Sequence, residues 1–157
     1  MQSYEIIKEY KSFDTNFNNS DSTLTILKLL EKVINNNVDG DIVEMGCHRG
    51  FLLYHIRLLL NKLNCNKELY GVDSFEGLPE LDDIDIVNKR NPFFKKGDMK
   101  CDLEDVYKIF NNLKKPKLLK GFFNKIDKLD YPKRVCFSHF DGDLYSSIMD
   151  SFEIIYP

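Results

Sequence analysis

An acidic residue and two glycines accompany the first of two short apolar runs in the middle of the chain. Glu44 lies within the run 42–45, and Gly46 and Gly50 follow it in the segment GDIVEMGCHRG (40–50). Gly46 permits a sharp turn out of a strand, and Gly50 lets the next helix start close to a ligand. The first turn of that helix would offer free N–H donors to a carboxylate or phosphate. The carboxylate of Glu44 would repel a pyrophosphate but could bind the ammonium of a methionine moiety.

A second acid, Asp73, ends the other apolar run. There a carboxylate can accept hydrogen bonds from both hydroxyls of an adenosine ribose. A dinucleotide fingerprint would need glycines at 46, 48 and 51, and only the first is present. The alternatives are a structural turn with a surface glutamate, and an Asp73 that only caps the turn at Ser74 and Phe75. Acids at the ends of two neighbouring strands favour a nucleoside site over these alternatives.

Hydrophobic periodicity predicts the elements that must position these acids. In chain order they are a helix capped at 20–22 and ended by 35–37, strand 42–45, helix 52–63, strand 68–72, helix 102–113, strands 117–120 and 134–140, and a helix from about Asp143 onward. This alternation predicts an α/β fold, a Rossmann-like, mostly parallel sheet with flanking helices. The carboxyl ends of its strands would share one edge, where ligands bind in such sheets.

The overall composition narrows the class of protein. A chain of 157 residues is long enough for one core, so we expect a single domain over 1–157. The net charge of −3 provides no basic footprint for a nucleic acid or a membrane surface. The four cysteines lack metal-ligand spacing, and no apolar run is long enough for a membrane helix or a signal peptide. We therefore expect reduced thiols and a cytoplasmic location.

Four blocks in order give the chain a resemblance to a known family. The segment DSFEGLP (73–79) resembles the signature of the macrocin O-methyltransferases, class I enzymes that methylate sugar hydroxyls of macrolides. Residues 40–50 resemble the family's GDxxExGxxRG segment, 118–123 its G-x-F segment, and 140–147 its LDxDLYxST segment. The resemblance runs from about Thr23 to Pro157.

The resemblance implies an O-methyltransferase fold, a cofactor and a metal. The cofactor is S-adenosylmethionine, with binding residues at Glu44, Gly46, Gly50, Asp73, Ser74, Phe75 and Phe122. Asp141 is implied as the catalytic residue and as a ligand of Mg²⁺, which would bind the acceptor hydroxyl, lower its pKa and orient it. We expect Asp143 to cap the following helix and His139 to be a core histidine, although it could assist as a base. Phe122 and Phe123 could flank adenine or be ordinary core aromatics.

The chain departs from the family pattern in two places. Phe51 and Leu52 stand where the family has Gly-Ser, and the chain ends at Pro157, before the family's Gly-Gly turn and Asp-Asp-Tyr strand. Of the class I strand order 3-2-1-4-5-7-6 we therefore expect only 3-2-1-4, with strand 134–140 at an open edge. We expect either that a second copy or a partner covers this edge, or that the 157 residues are a C-terminally incomplete product of a longer ancestor. We also expect donor binding with little methyl transfer by the chain alone.

These observations predict a Mg²⁺-dependent O-methyltransferase that acts on a hydroxyl of a sugar or small metabolite. The variable segments 1–19 and 81–100 would choose the acceptor. One alternative is a non-catalytic remnant that binds S-adenosylmethionine. The other is a glycosyltransferase that binds metal through Asp141 and Asp143 as a DxD motif, which leaves Glu44 and Asp73 unexplained.

Overall fold

The computed structural model describes residues 2–3, 5–6, 20–86 and 94–156. Most of the segment 1–19 and part of the segment 81–100, where the acceptor-selecting loops are predicted, lie outside these residues. The helices are α1 (Ser20–Asn35), α2 (Phe51–Lys62), α3 (Leu103–Phe110) and α4 (Tyr145–Ile155), and the strands are β1 (Asp41–Met45), β2 (Leu69–Asp73), β3 (Lys117–Lys120) and β4 (Val135–Phe140). No helix among the described ranges is long and apolar enough to cross a membrane.

The four strands form one parallel sheet in the order β3-β2-β1-β4. This is the expected 3-2-1-4 arrangement, and it confirms the prediction of a Rossmann-like parallel sheet with flanking helices. β1 lies at the centre and pairs with both β2 and β4. The carboxyl ends of the strands therefore meet at one edge of the sheet, as predicted.

The two faces of the sheet bury different apolar clusters. One face carries Ile42 and Leu69 and packs against α1, α2 and α3. The other face carries Val43 and Val72, covered by residues between β3 and β4 and by the end of α4. The period-two alternation of β1 between these clusters follows from the opposite directions of successive side chains in a strand.

Gly71 sits in the middle of β2 because neighbouring side chains fill the space beside it. A Cβ on this residue would lie 2.5 Å from Leu53 Cδ1 of α2 and 2.9 Å from Leu118 Cδ2 of β3. Cys47 Sγ would be 3.1 Å away. The helix and the adjacent strand can approach β2 this closely only where no side chain intervenes.

The starts of α3 and α4 compare differently with the predictions from the sequence. The Asp102 carboxylate accepts from the Glu104 amide and caps α3, which agrees with a predicted helix beginning at 102, but α3 ends at Phe110 rather than near Leu113. The prediction that Asp143 caps the last helix is wrong. Asp143 has a φ of +59°, and the N-cap residue of α4 is Leu144, whose side chain makes no capping bond.

The packing at Gly71 leads to a stability prediction. Gly71→Ala should lower the free energy of unfolding by about 1–3 kcal/mol, because the added methyl group overpacks the contact between β2, α2 and β3. Urea unfolding of the variant and the wild type measures this difference. Leu29→Ala is the control, since Leu29 is 54% exposed, and it should change stability by about 0.5 kcal/mol or less. Equal effects of the two substitutions would contradict the packing argument.

Candidate active site

A cleft of about 520 Å³ opens at the carboxyl ends of the strands. Its walls come from the turn after β1, the end of β2, residues 121–125 after β3, and the turn between β4 and α4. The loop after β2 forms a further wall through residues 77–80 and 82. This volume is typical of small-molecule sites, which lie at this edge in open parallel sheets.

Asp73 lies at the end of β2 and lines the cleft. One carboxylate oxygen accepts from the His48 amide and the other from the Phe75 amide, both at 2.8 Å. The capping alternative raised from the sequence is therefore part of what Asp73 does. A carboxylate has about four lone-pair sites, so two sites stay available for a ligand.

Glu44 lies beneath the cleft and is 3% exposed. It faces His139 across the β1–β4 pair, with 3.8 Å between Glu44 Oε1 and His139 Nδ1. Glu44 Oε2 is buried without a hydrogen-bond partner among the described residues. Burial raises the pKa of Glu44 to about 7, helped by Asp141 and Asp73 and opposed by His139.

The His139 ring is also partly buried, which opposes its protonation. The facing Glu44 carboxyl outweighs this effect and raises the pKa of His139. The raised pKa of Glu44 taken alone places a proton on Glu44, whereas the raised pKa of His139 taken alone places it on His139. Both shifts agree that the pair retains a proton to higher pH than the separate residues would.

The two glycines of the first motif have different surroundings. Gly46 lines the cleft with a φ of +89°, and a Cβ there would lie 2.2 Å from the Asp141 carbonyl oxygen. Gly46 therefore lets the turn after β1 approach the end of β4. Gly50, with a φ of +74°, does not line the cleft. It faces α3 instead, since a Cβ on Gly50 would lie 2.6 Å from Val106 Cγ1.

Of the other predicted cofactor residues, two line the cleft and one lies in the core. Ser74 lines the cleft, and its hydroxyl donates to the Gly77 carbonyl at 2.8 Å. Phe122 also lines the cleft and is 37% exposed. Phe75 is 3% exposed and packs in the core cluster on the helix side of the sheet. The structure thus brings Gly46, Asp73, Ser74, Phe122 and Asp141 together, with Glu44 beneath them.

Asp141 follows β4, and its amide donates to the Met45 carbonyl at 2.8 Å. Asp143 lies two residues further and also lines the cleft. Burial raises the pKa of Asp143, and the nearby Asp141 and Asp73 add to this effect. Within the described part of the chain, no group of three or more His, Cys, Asp or Glu side chains is placed to hold a metal ion.

The charge lining the cleft is predominantly negative. The acids that line it are Asp73, Glu80, Asp82, Asp141, Asp143 and Asp150. Within the described ranges, the basic side chain that lines the cleft is Lys125. Such a cleft favours a ligand that carries positive charge.

His48 was not predicted as a cleft residue, and Asp143 was expected to cap a helix or to bind metal in a DxD motif, yet both line the cleft. The His48 amide links the turn after β1 to Asp73. Its backbone has a φ of +44°, which is unusual for a histidine. Burial and the neighbouring Arg49 lower its pKa, so the ring is neutral at physiological pH. The Asp-Gly-Asp spacing at 141–143 was the available signal for Asp143.

Comparison with known proteins places this arrangement among methyltransferases. The family model described as Macrocin-O-methyltransferase (TylF) matches residues 22–157. Demethyldecarbamoylnovobiocin O-methyltransferase of Streptomyces niveus is 27% identical over 139 residues, which are 84% of this chain and 53% of the relative. A Streptomyces olivaceus enzyme, 8-demethyl-8-(2,3-dimethoxy-alpha-L-rhamnosyl)-tetracenomycin-C 4'-O-methyltransferase, is 29% identical over 135 residues, 82% of this chain and 52% of the relative. The chain spans about half the length of these curated relatives.

Solved structures give a concordant result. The O-methyltransferase NovP superposes with a TM-score of 0.71 and 25% identity, covering 87% of this chain and 59% of NovP. The calicheamicin methyltransferase CalS11 superposes with a TM-score of 0.67 and 18% identity, covering 98% of this chain and 72% of CalS11. The likeness to CalS11 supports the fold alone.

The buried Glu44–His139 pair predicts how stability depends on pH. The pKa of Glu44 is raised in the folded state, so the stability that its protonated form contributes is lost as the pH rises from about 4.5 to about 7. The raised pKa of His139 acts in the same direction. Glu44→Gln does not titrate, so its free energy of unfolding should exceed that of the wild type by about 1–3 kcal/mol at pH 8 and approach it near pH 5.

Urea unfolding at several pH values measures this difference. Glu153→Gln, a change at an exposed glutamate of α4, serves as the control and should follow the wild-type pH profile. A Glu44→Gln profile parallel to that of the wild type would show that Glu44 does not take up a proton on folding.

Proposed function

The chain belongs to the Macrocin-O-methyltransferase (TylF) family, and on that premise we propose that it transfers a methyl group from S-adenosylmethionine to a hydroxyl of a sugar or another small metabolite. The observation that carries the proposal is the convergence of Asp73, Gly46 and Asp141 on one cleft, with Glu44 buried beneath it. The name of one relative specifies a 4'-O-methyltransferase with a rhamnosyl group in its substrate, which supports a sugar as the acceptor.

The end of β2 suits the nucleoside half of the donor. Asp73 is held by the His48 and Phe75 amides, so its carboxylate keeps one orientation before any ligand binds. Its remaining lone pairs can accept from the two ribose hydroxyls. Phe122 offers a partly exposed aromatic ring on the same cleft, where an adenine base can stack.

The turn after β1 suits the methionine half of the donor. Gly46 lets the turn after β1 lie directly against the Asp141 carbonyl at the edge of the cleft, and Glu44 has a buried oxygen with no hydrogen-bond partner among the described residues. A buried polar atom of this kind is usually satisfied by a ligand or an ordered water. The donor's ammonium is a suitable partner, reached directly or through a water molecule.

S-Adenosylmethionine supplies an electrophilic methyl group on a positively charged sulfur. The carboxylates of the cleft would bind this cationic donor and hold the acceptor oxygen close to the methyl carbon, which is the main requirement of such a displacement. The acceptor hydroxyl must lose its proton as the oxygen–carbon bond forms. Asp143 is suited to accept that proton, because it lines the cleft and burial raises its pKa.

A role for Mg²⁺ forms a separate part of the proposal. Asp141 offers hard oxygen donors at the end of β4, and Mg²⁺ can be held by one or two carboxylates with several retained waters. Bound there, Mg²⁺ would act as a Lewis acid toward the acceptor hydroxyl. The described residues contain no cluster of three or more candidate metal ligands. We therefore propose Asp141 alone as a protein ligand.

The ribose assignment predicts the effect of one substitution. Asp73→Ala should weaken the binding of S-adenosylhomocysteine by about 1–3 kcal/mol, because it removes a charged hydrogen-bond acceptor. Isothermal titration calorimetry measures the affinity. Glu104→Ala, at an exposed residue of α3, is the matched control for loss of an acid. An unchanged affinity in Asp73→Ala, with the fold intact by circular dichroism, would rule out the ribose role.

The metal assignment predicts a selective loss of metal binding. Mg²⁺ added with S-adenosylhomocysteine should raise the melting temperature of the wild type, because a ligand that binds only the folded state stabilises it. Asp141→Asn should abolish the increase due to Mg²⁺ and keep the increase due to S-adenosylhomocysteine alone. An equal effect of Mg²⁺ on both proteins would exclude Asp141 as a ligand.

A further inference from the structure

The loop after β2 is connected to the start of α4 by a side chain that the proposed chemistry does not use. Asp85 Oδ1 accepts from the Tyr145 amide at 2.9 Å, a contact between residues 60 positions apart. Tyr145 is the first residue of α4, and its amide belongs to the group that a helix cannot satisfy internally. Leu144, the N-cap residue, has no polar side chain to do so. Asp85, a residue of the loop after β2, therefore caps α4 in place of the residue that precedes the helix.

The segment that carries Asp85 is itself ordered by backbone hydrogen bonds. The Asp85 amide donates to the Asp82 carbonyl at 2.9 Å, which closes a turn over 82–85. Further back, the Leu78 amide donates to the Asp98 carbonyl, and the Gly97 amide donates to the Leu78 carbonyl. These bonds fix the loop at its base, and Asp85 fixes it at the helix.

The capping bond joins two walls of the cleft. The loop contributes Leu78 and Asp82 to one wall, and the start of α4 contributes Ser146 and Ser147 to the other. A carboxylate at a helix N-terminus also interacts favourably with the helix dipole. If this bond opens, the loop loses its hold on α4, and the first turn of α4 loses its cap.

We propose that Asp85 is a positioning residue for the methyl-transfer site, because its cap on α4 holds the loop wall and the helix wall together around the ligand. The part of this inference that concerns ligand affinity rests on the proposed function. The part that concerns the loop and the helix does not. Asp85 does not line the cleft, so it acts through the residues that do.

Hydrogen–deuterium exchange tests the contact without any ligand. Asp85→Ala should speed exchange in peptides covering 78–86 and the start of α4 by about fivefold, the usual effect of losing a helix cap. Asp85→Asn keeps an acceptor oxygen that caps helices well, and it should restore slow exchange. Asp83→Ala is the control for the same turn, because Asp83 is exposed.

A second pair of variants removes the donor instead of the acceptor. Tyr145→Pro deletes the amide hydrogen at a helix position where proline is well tolerated, and the preceding Leu144 already has the extended backbone that proline requires. It should reproduce the fast exchange of Asp85→Ala, whereas Tyr145→Ala keeps the amide and should not. The double variant Asp85→Ala with Tyr145→Pro should be no worse than either alone, because both remove one bond.

Calorimetric titration with S-adenosylhomocysteine then measures the consequence for the site. We expect Asp85→Ala and Tyr145→Pro each to weaken binding by about fivefold, with the wild-type value retained in Asp85→Asn, Asp83→Ala and Tyr145→Ala. Additive effects in the double variant, or exchange equal to that of the controls, would overturn the role of Asp85. If the wild type binds no S-adenosylhomocysteine, the proposed function fails, while the exchange data still decide whether the cap exists.

Discussion

The carboxylate of Asp73 joins the two turns on which the rest of the cleft depends. Its oxygens accept from the His48 amide after β1 and the Phe75 amide after β2, so both turns are held by one side chain. His48 and Phe75 both have positive φ values, a backbone conformation that side chains other than glycine rarely adopt. The hydrogen bonds to Asp73 offset part of that cost. A residue at this position therefore both maintains the shape of the site and lines the cleft.

Burial of negative charge is the second constraint on the site. Burial raises the pKa of Glu44 and Asp143, and the nearby Asp141 and Asp73 add to this effect at both residues. Carboxyl groups crowded in this way cannot all ionise without cost unless positive charge approaches them. His139 provides some of that charge to Glu44. A cationic ligand such as the proposed sulfonium donor would provide more and would reduce the repulsion among these carboxyl groups.

The described parts of the loop after β2, residues 74–86 and 94–99, are placed differently from the sheet. The strands place their ends by continuous hydrogen-bonded ladders, whereas these loop residues are placed by separate hydrogen bonds, among them those at Leu78 and at Asp85. The floor of the cleft therefore depends on cooperative ladders, and this wall depends on individual contacts.

Local patterns in the sequence determined the order of the elements, the parallel α/β sheet and the acids at the ends of β1 and β2. They could do so because hydrophobic periodicity, glycine turns and strand-end acids are encoded within a few neighbouring residues. The resemblance of segments such as 73–79 added the family, which the family match confirmed. Gly46, Asp73, Ser74, Phe122 and Asp141 meet at one cleft, and the role of each in binding or catalysis is a proposal.

Only the tertiary structure decided which partner each residue meets across long sequence separations. Gly50 faces Val106 of α3, Glu44 faces His139, and α4 is capped by Asp85 rather than by Asp143. None of these pairings leaves a local signal, because each depends on how separate elements pack. The backbone of Asp143 shows the same limit. Its φ of +59° follows from the turn between β4 and α4, and that turn places its side chain on the cleft instead of over the helix end.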